Sequence, residues 1–240
     1  MDASRKDIHN SDIPVLCQSC EARHKGMCGV LDSVQLTALA RSTRMIRYEA
    51  GAELAAESMP VESYANVMHG VVKLSKVLED GRQQIVGLQF APDFLGRLFS
   101  KENAVTAEAA SDVDLCRVPK PALERLVAEN PALEHRLMEQ TLRELDDARE
   151  WMVTLGRKTA AEKVASFLYL IATQLDPAAT GGRRVFDLPL TRTDIADFLG
   201  LTIETVSRQL SKLRADRVVI IIGIRHVEIP DLAALKRRCG

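Results

Sequence analysis

Residues 191–214 read TRTDIADFLGLTIETVSRQLSKLR, a pattern that predicts two short helices joined by a tight turn. Thr191 with Asp194 three residues later is typical of a capping box at a helix start, and Gly200 can end that helix. Thr202 is suited to cap the second helix. The second helix would bury one apolar face, formed by Val206, Leu210 and Leu213.

The other faces of the second helix are polar, as in a helix-turn-helix unit whose second helix enters the DNA major groove. Arg208 can donate two hydrogen bonds to guanine, Glu204 can accept one from cytosine, and Ser207 can contact bases of either kind. An ordinary helical hairpin with a solvated charged face is the alternative. A DNA-reading helix would use six side chains: Thr202, Glu204, Thr205, Ser207, Arg208 and Lys212.

The sequence after this helix predicts a wing. Residues 217–222 are rich in β-branched side chains, Gly223 allows a tight turn, and residues 224–229 alternate apolar and polar. Residues 157–240 carry 14 Lys and Arg against 9 Asp and Glu, whereas residues 1–156 carry 18 against 24. The resulting net charges, +5 and −6, give the C-terminal third the basic character that double-stranded DNA requires of a partner.

The chain has 240 residues, 46% hydrophobic and 27% charged, which is typical of a soluble protein of roughly two domains. Residues 42–118 contain short runs of Val, Ile, Leu and Tyr separated by glycines, which favours a β-barrel or jelly roll. A short helix is predicted before it at residues 34–40. Five strands are predicted within it: 45–48, 64–68, 71–78, 84–90 and 113–118.

Asn130 and Pro131 open a long helical stretch that extends to about residue 155. Apolar and small residues recur there at steps of three and four, which indicates a seam for a partner helix. A helix buried within its own domain is the alternative, but helix-turn-helix proteins normally act as two-fold dimers. The predicted homodimer seam is Met138, Thr141, Leu145, Ala148, Met152 and Leu155. A neighbouring stripe is predicted to pack on the roll: Leu133, Leu137 and Leu142.

Three of the five cysteines, Cys17, Cys20 and Cys28, share one short polar segment, whereas Cys116 lies far downstream and Cys239 near the end. No apolar run approaches the roughly 20 residues of a membrane span, and no signal-peptide core is present, so we expect a cytoplasmic protein with reduced thiols. Structural zinc and an iron–sulfur cluster both fit these cysteines. Unrelated core residues or a redox pair are the other interpretations. No grouping of acid, base and nucleophile indicates an enzyme.

The run IETVSR at residues 203–208 matches the recognition-helix signature of the CRP/FNR family of bacterial transcription regulators. The chain resembles this family over nearly its whole length, and within it the FNR-type oxygen sensors. The resemblance implies an α+β fold with an N-terminal β jelly-roll sensor domain, a long dimerisation helix and a C-terminal winged helix-turn-helix. We therefore assign a cluster-binding segment, the jelly roll, the dimerisation helix and the DNA-binding domain to residues 1–30, 31–120, 121–156 and 157–240.

FNR-type members bind an oxygen-labile 4Fe-4S cluster through three N-terminal cysteines and one from the end of the roll. The resemblance therefore implies four ligands: Cys17, Cys20, Cys28 and Cys116. Seven residues separate the second and third cysteines, where the best-known pattern has five, and Ala148 replaces a frequent acid of the dimer helix. The resemblance further implies a dimer that, with its cluster intact, binds a palindrome resembling TTGAT-N4-ATCAA. RNA polymerase would be met by roll loops such as residues 80–84.

Cyclic nucleotides are not expected to be the effector. In cAMP-binding relatives, a glutamate after a glycine of the roll binds the ribose, and an Arg-Ser pair binds the phosphate. The approximate equivalents here are Arg97, which follows Gly96, and the pair Asn103 and Ala104. With no acid for the ribose and no cation for the phosphate, polar groups of a bound nucleotide would be left unsatisfied.

Overall fold

The computed structural model describes residues 13–18, 20–175 and 181–240. Within the predicted cluster-binding segment, residues 1–12 and 19 therefore lie outside the described residues. The chain divides into two compact units, formed by residues 1–76 with 87–145 and by residues 77–86 with 146–240. Across the described ranges, no helix is both long and apolar enough to cross a membrane.

Eight strands form a β roll of two four-stranded sheets. They are β1 (Arg44–Tyr48), β2 (Glu53–Ala55), β3 (Ser63–His69), β4 (Val71–Val77), β5 (Gln83–Phe90), β6 (Phe94–Leu95), β7 (Thr106–Ala109) and β8 (Val113–Pro119). The sheet orders are β1-β8-β3-β6 and β2-β7-β4-β5. Strand β8 pairs antiparallel with both β1 and β3. All five predicted strands are confirmed, and β2, β6 and β7 are additional.

Alternate side chains of β3 and β8 face two different cores. Val67 and Leu115 pack between the two sheets of the roll. Tyr64 and Val118 face the other side, where they pack with Cys28. The 3-10 turn (Met27–Val30) and α3 (Ser33–Ser42) contribute side chains to this outer core. Two short helices, α1 (Val15–Gln18) and α2 (Glu21–His24), precede them. The outer core therefore attaches the N-terminal cysteine segment to the sheet that carries Cys116.

Two helices occupy the segment predicted to hold the dimerisation helix. They are α4 (Lys120–Glu129) and α5 (Pro131–Arg157). Asn130 separates them, because its buried side-chain oxygen accepts hydrogen bonds of 3.1 Å from the amides of Ala132 and Leu133. This cap fixes the start of the long helix at the residue pair that the sequence indicated.

Helix α5 buries one side and exposes another. Leu133 and Leu137 are buried as predicted, whereas Leu142 is 54% exposed, so its predicted packing on the roll is wrong. Leu142 lies four residues after Met138 and three before Leu145, and both of these are also exposed. It therefore belongs to the exposed stripe. Of the predicted seam, five residues are exposed and Leu155 is half-buried: Met138, Thr141, Leu145, Ala148, Met152 and Leu155.

The second unit contains helix α6 (Ala160–Gln174), the helix-turn-helix and a three-stranded sheet. Its further elements are β9 (Arg184–Asp187), α7 (Arg192–Leu199), α8 (Ile203–Ala215), β10 (Ile220–Ile222), β11 (His226–Ile229) and α9 (Leu232–Lys236). The predicted helix-turn-helix and wing hairpin are confirmed. Strand β9, which pairs with β11 and completes the wing sheet, was not predicted.

Candidate DNA interface and cysteine site

The turn between α7 and α8 is fixed by local hydrogen bonds. Thr191 caps α7 with its hydroxyl, which accepts from the amide of Asp194, and the Asp194 carboxylate accepts from the amide of Thr191. Gly200 ends α7 in the left-handed conformation, with φ 60° and ψ 43°. The amide of Leu201 then donates to the Ala196 carbonyl at 3.0 Å. The two helices are thereby held in one defined arrangement.

Helix α7 is anchored to the rest of its unit by aromatic side chains. The ring of Phe198 lies 4.6 Å from that of Trp151 and 6.0 Å from that of Phe167, measured between centroids. Phe167 is fully buried in α6 and Phe198 is nearly so. Such tilted and edge-to-face pairs pack tightly, so α7 forms a rigid base for α8.

Helix α8 exposes the face that the sequence predicted to read DNA. Its apolar side is buried through Val206, Leu210 and Leu213. The predicted contact residues lie away from this side; Thr205 is half-buried and the others are exposed: Thr202, Glu204, Ser207, Arg208 and Lys212.

Three of these side chains form a short chain at the start of α8. The Thr202 hydroxyl accepts from the amide of Thr205, and the two hydroxyls are 3.2 Å apart. Arg208 donates to the Thr205 hydroxyl at 3.5 Å. The backbone amide of Glu204 and the Thr202 hydroxyl lower the pKa of the Glu204 carboxyl, so it is ionised and acts only as an acceptor.

The wing is tied to the start of α7 by Arg192, a residue that the sequence reasoning missed. Its guanidinium Nη2 donates to the carbonyl of Ile224 at 3.2 Å. Ile224 lies in the turn between β10 and β11, and its side chain is 80% exposed. Within the wing sheet, His226 Nδ1 and Asp187 Oδ1 are 2.9 Å apart. Arg192 could not be identified from periodicity, because its partner is 32 residues away.

The structure brings four cysteines together on the outer face of the roll. Burial raises the pKa of the Cys28 thiol most, and the neighbouring thiols raise it further: those of Cys116, Cys20 and Cys17. Burial and the thiols of Cys20 and Cys17 likewise raise the pKa of Cys116 to about 11. Charge interactions of this kind act across a limited distance, so the four thiols lie in the same region of the unit. Cys239 lies in the other unit, where its thiol donates to the Leu235 carbonyl.

The contacts around the cysteines include a second missed residue, Arg136 of α5. Its Nε donates to the Gly26 carbonyl at 3.3 Å, and its Nη2 donates to the Lys25 carbonyl. Both carbonyls belong to the loop between Cys20 and Cys28. Among the described residues, no three Cys, His, Asp or Glu side chains converge as ligands of a single metal ion. Through the two hydrogen bonds of Arg136, the loop between Cys20 and Cys28 is fastened directly to α5.

The roll contains a cavity of about 460 Å³ whose lining includes Gly96, Arg97 and Arg117. Arg117 reaches the cavity from β8, away from the stretch compared with cAMP-binding relatives, and is a cation that this comparison did not consider. Its guanidinium donates to the Ser63 hydroxyl at 2.6 Å through Nη2 and to the Tyr48 hydroxyl at 2.9 Å through Nη1.

Comparisons with known proteins agree with this architecture. Residues 162–238 match the Crp-like helix-turn-helix domain, and residues 45–130 match the cyclic nucleotide-binding domain. The chain is 52% identical to a probable transcriptional activator of Rhizobium leguminosarum bv. viciae over 99% of this chain and 98% of that protein. It is 41% identical to the transcriptional activator protein FnrL of Cereibacter sphaeroides, over 93% of this chain and 92% of that protein.

A solved structure gives the same result at the level of the fold. FixK2 from Bradyrhizobium japonicum superimposes with a TM-score of 0.74 at 33% identity. The alignment covers 82% of this chain and 98% of that one. The chain belongs to the CRP/FNR family of DNA-binding transcription regulators.

Proposed function

We propose that this regulator responds to oxygen through a 4Fe-4S cluster, dimerises while the cluster is bound and then binds a TTGAT-N4-ATCAA-like palindrome. The observation that carries the proposal is the grouping of the N-terminal cysteines with Cys116. Relatives of this chain include proteins named FnrL and proteins named FixK, so the names alone do not select an effector. The proposal is therefore argued from the cysteine site, whose thiolates suit an iron–sulfur cluster.

The donor set fits such a cluster. The proposed ligands are Cys17, Cys20, Cys28 and Cys116. Iron–sulfur clusters are held by four thiolates, often three local ones and one distant, and each thiolate binds its own iron. When bound, the cluster would supply oxygen sensitivity. The protein's part is to tether the N-terminal segment to β8, and Arg136 connects the same segment to α5.

The proposed DNA contacts follow from the chemistry of the exposed face of α8. Arg208 offers a planar fork that pairs with guanine O6 and N7, and the ionised Glu204 can accept from a cytosine amino group. Ser207 would contact the neighbouring base pair, Thr202 and Thr205 would hold the start of the helix, and Lys212 would contact phosphate. In a two-fold dimer, two such helices meet half-sites about one helical turn apart.

The proposed dimer interface is the exposed stripe of α5. Met138 is 54% exposed, Leu145 44% and Met152 71%, which is unusual for such side chains on a helix. Thr141, Ala148 and the half-buried Leu155 flank this stripe. RNA polymerase is the proposed further partner at residues 80–84, which comprise part of the turn before β5 and the first two residues of that strand. An exposed ion pair joins Asp80 and Arg82 there at 2.8 Å.

A CRP/FNR-type regulator with a different effector or a structural zinc is the alternative. The cavity in the roll favours a different effector, because it carries Arg97 and Arg117 and could receive a small anion. Four thiolates would equally suit zinc.

Purification without oxygen, followed by visible spectroscopy, metal analysis and sedimentation, tests the proposal. We expect a broad absorption in the blue that bleaches in air, iron and sulfide in equal amounts, and a dimer that becomes mainly monomeric as it bleaches. A colourless protein with one zinc per chain would establish the alternative. An unchanged dimer with unchanged DNA affinity after bleaching would refute the coupling of the cluster to dimerisation. It would not refute the presence of a cluster in the protein before air exposure.

A further inference from the structure

Cys116 has two cross-strand neighbours in the sheet of the roll. In the antiparallel register, β8 places Cys116 opposite Met45 of β1 and opposite Asn66 of β3. Asn66 is in turn opposite Phe94 of β6. Residues directly opposite each other in antiparallel strands project from the same face of the sheet, with Cβ atoms about 5 Å apart. Asn66 and Cys116 therefore share a face and are immediate neighbours.

This face is the outer one, which the N-terminal cysteine segment covers. Phe94 and Cys28 belong to the same buried cluster on that side. The thiol of Cys20 lies 3.7 Å from the sulfur of Met68, which is two residues beyond Asn66 on β3. Asn66 is thus directly opposite the cysteine of β8 and two residues from Met68, whose sulfur the Cys20 thiol meets.

Asn66 is a polar residue in an apolar and sulfur-rich environment. Its side chain belongs to a residue only 1% exposed, and its Oδ1 atom is buried with no hydrogen-bond partner among the described residues. Leaving a buried polar atom unsatisfied destabilises a protein, so such an atom calls for a functional explanation. A carboxamide also carries two N–H donors, and rotation about its last torsion exchanges its two ends.

We propose that Asn66 positions and tunes the cluster by donating an N–H hydrogen bond to its sulfur, either the Cys116 thiolate or an adjacent sulfide. This inference rests on the proposed function. Hydrogen bonds to the sulfurs of a cluster withdraw negative charge from it and raise its reduction potential. Asn66 therefore slows oxidation in air and sets the oxygen concentration at which the regulator responds.

The test compares two variants with a matched control in the full-length protein. Asn66→Leu keeps a similar volume but has no donor, and Asn66→Ala removes the whole carboxamide. Gln89→Met is the control: Gln89 is also buried, its Oε1 also has no partner among the described residues, and it lines the roll cavity. Iron and sulfide content, the midpoint potential and the rate of bleaching in air are measured for each.

We expect both Asn66 variants to show a lower midpoint potential than wild type and roughly tenfold faster bleaching, a typical effect of losing an outer-shell partner. Gln89→Met should match wild type in both readouts. If Asn66→Leu does not load, the same comparison is made with Asn66→Ala. Wild-type potential and bleaching rate in a loaded variant would overturn this inference alone, whereas a wild-type protein without iron and sulfide would overturn the proposed function and this inference with it.

Discussion

Arg208 and Glu204 lie four residues apart on the exposed side of α8, one helical turn from each other. Thr205 contacts the Arg208 guanidinium, and Thr202 lowers the pKa of the Glu204 carboxyl. Each side chain is therefore directed and charged before DNA arrives. Such preorganisation reduces the entropy lost on binding and favours specific base contacts.

Replacing Arg208 with Ala should weaken binding to the palindrome by about 1–3 kcal/mol and relax the preference for guanine at one position of each half-site. Lys212→Ala is the control, because loss of a phosphate contact should weaken all sequences alike and reduce the salt dependence. Fluorescence anisotropy with duplexes substituted at each position measures both. Unchanged ratios between the palindrome and its substituted versions would contradict the base contact.

Each proposed cluster ligand should be essential. Single substitutions by Ser should abolish the air-sensitive absorption and leave a mainly monomeric protein that binds DNA weakly, because a hydroxyl is a poor ligand for iron. The four variants are Cys17→Ser, Cys20→Ser, Cys28→Ser and Cys116→Ser. Cys239→Ser is the matched control, since Cys239 is similarly buried but lies in the other unit. A normal spectrum in any of the four would remove that residue from the ligand set.

Residues whose role depends on distant partners could not be predicted from the sequence. The caps at Thr191 and Thr202 were predictable, because each hydrogen-bonds to a residue three positions away. Arg136, by contrast, donates to carbonyls about 110 residues earlier in the chain, a contact that exists only after folding. The proposed cysteine ligands stood out by residue type and by family resemblance, whereas only the fold brings Cys116 into the region of the other three.

Elements were predictable in proportion to their length. Strand β5 has 8 residues, enough to show a pattern, whereas β2 has 3, β6 has 2 and β7 has 4. A run of two to four residues cannot establish a period of two, and these short strands form because neighbouring strands offer them hydrogen bonds. Helix α5 was predicted as a helix, but the assignment of Leu142 to its buried side was wrong. The exposed apolar stripe of α5 is wider than predicted and includes Leu142 beside Met138 and Leu145.

The apolar stripe on α5 should be sensitive to charge. Leu145→Glu should weaken dimerisation by about 1.5–3 kcal/mol or more for each side chain withdrawn from an apolar contact. Arg143→Glu is the control, because residues two apart lie on nearly opposite sides of a helix with 3.6 residues per turn. Sedimentation of the protein prepared without oxygen measures the effect. A Leu145→Glu protein as dimeric as Arg143→Glu would place the interface elsewhere.

The β roll should not respond to cAMP despite its cavity. Arg117 already donates to Ser63 and Tyr48, so a phosphate would have to replace both hydrogen bonds. Calorimetry should show no saturable heat at micromolar cAMP, and DNA affinity should be the same with and without the nucleotide. Micromolar saturation would establish a nucleotide effector.

At the scale of the whole molecule, charge differs between the part that contains the roll and long helix and the part that contains the helix-turn-helix. Residues 1–156 carry a net charge of −6 and residues 157–240 one of +5, so the total of −1 conceals the separation. The acidic part is repelled by DNA and the basic part is attracted to it. This charge separation favours encounters in which the helix-turn-helix is the part of the protein that faces the DNA.

Taken with the proposed cluster and dimer, the hydrogen bonds from Arg136 to the carbonyls of Lys25 and Gly26 predict that DNA protects the cysteines from air. The coupling free energy between two binding sites acts equally in both directions. If an ordered loop between Cys20 and Cys28 favours the dimer, then pairing of the two α5 helices on DNA favours the ordered loop to the same extent. A duplex carrying the palindrome should therefore slow bleaching in air at least about fivefold, whereas a scrambled duplex should not. Arg136→Met should abolish this shielding. Equal bleaching rates with both duplexes in the unaltered protein would mean that DNA binding and the order of the cysteine loop are independent.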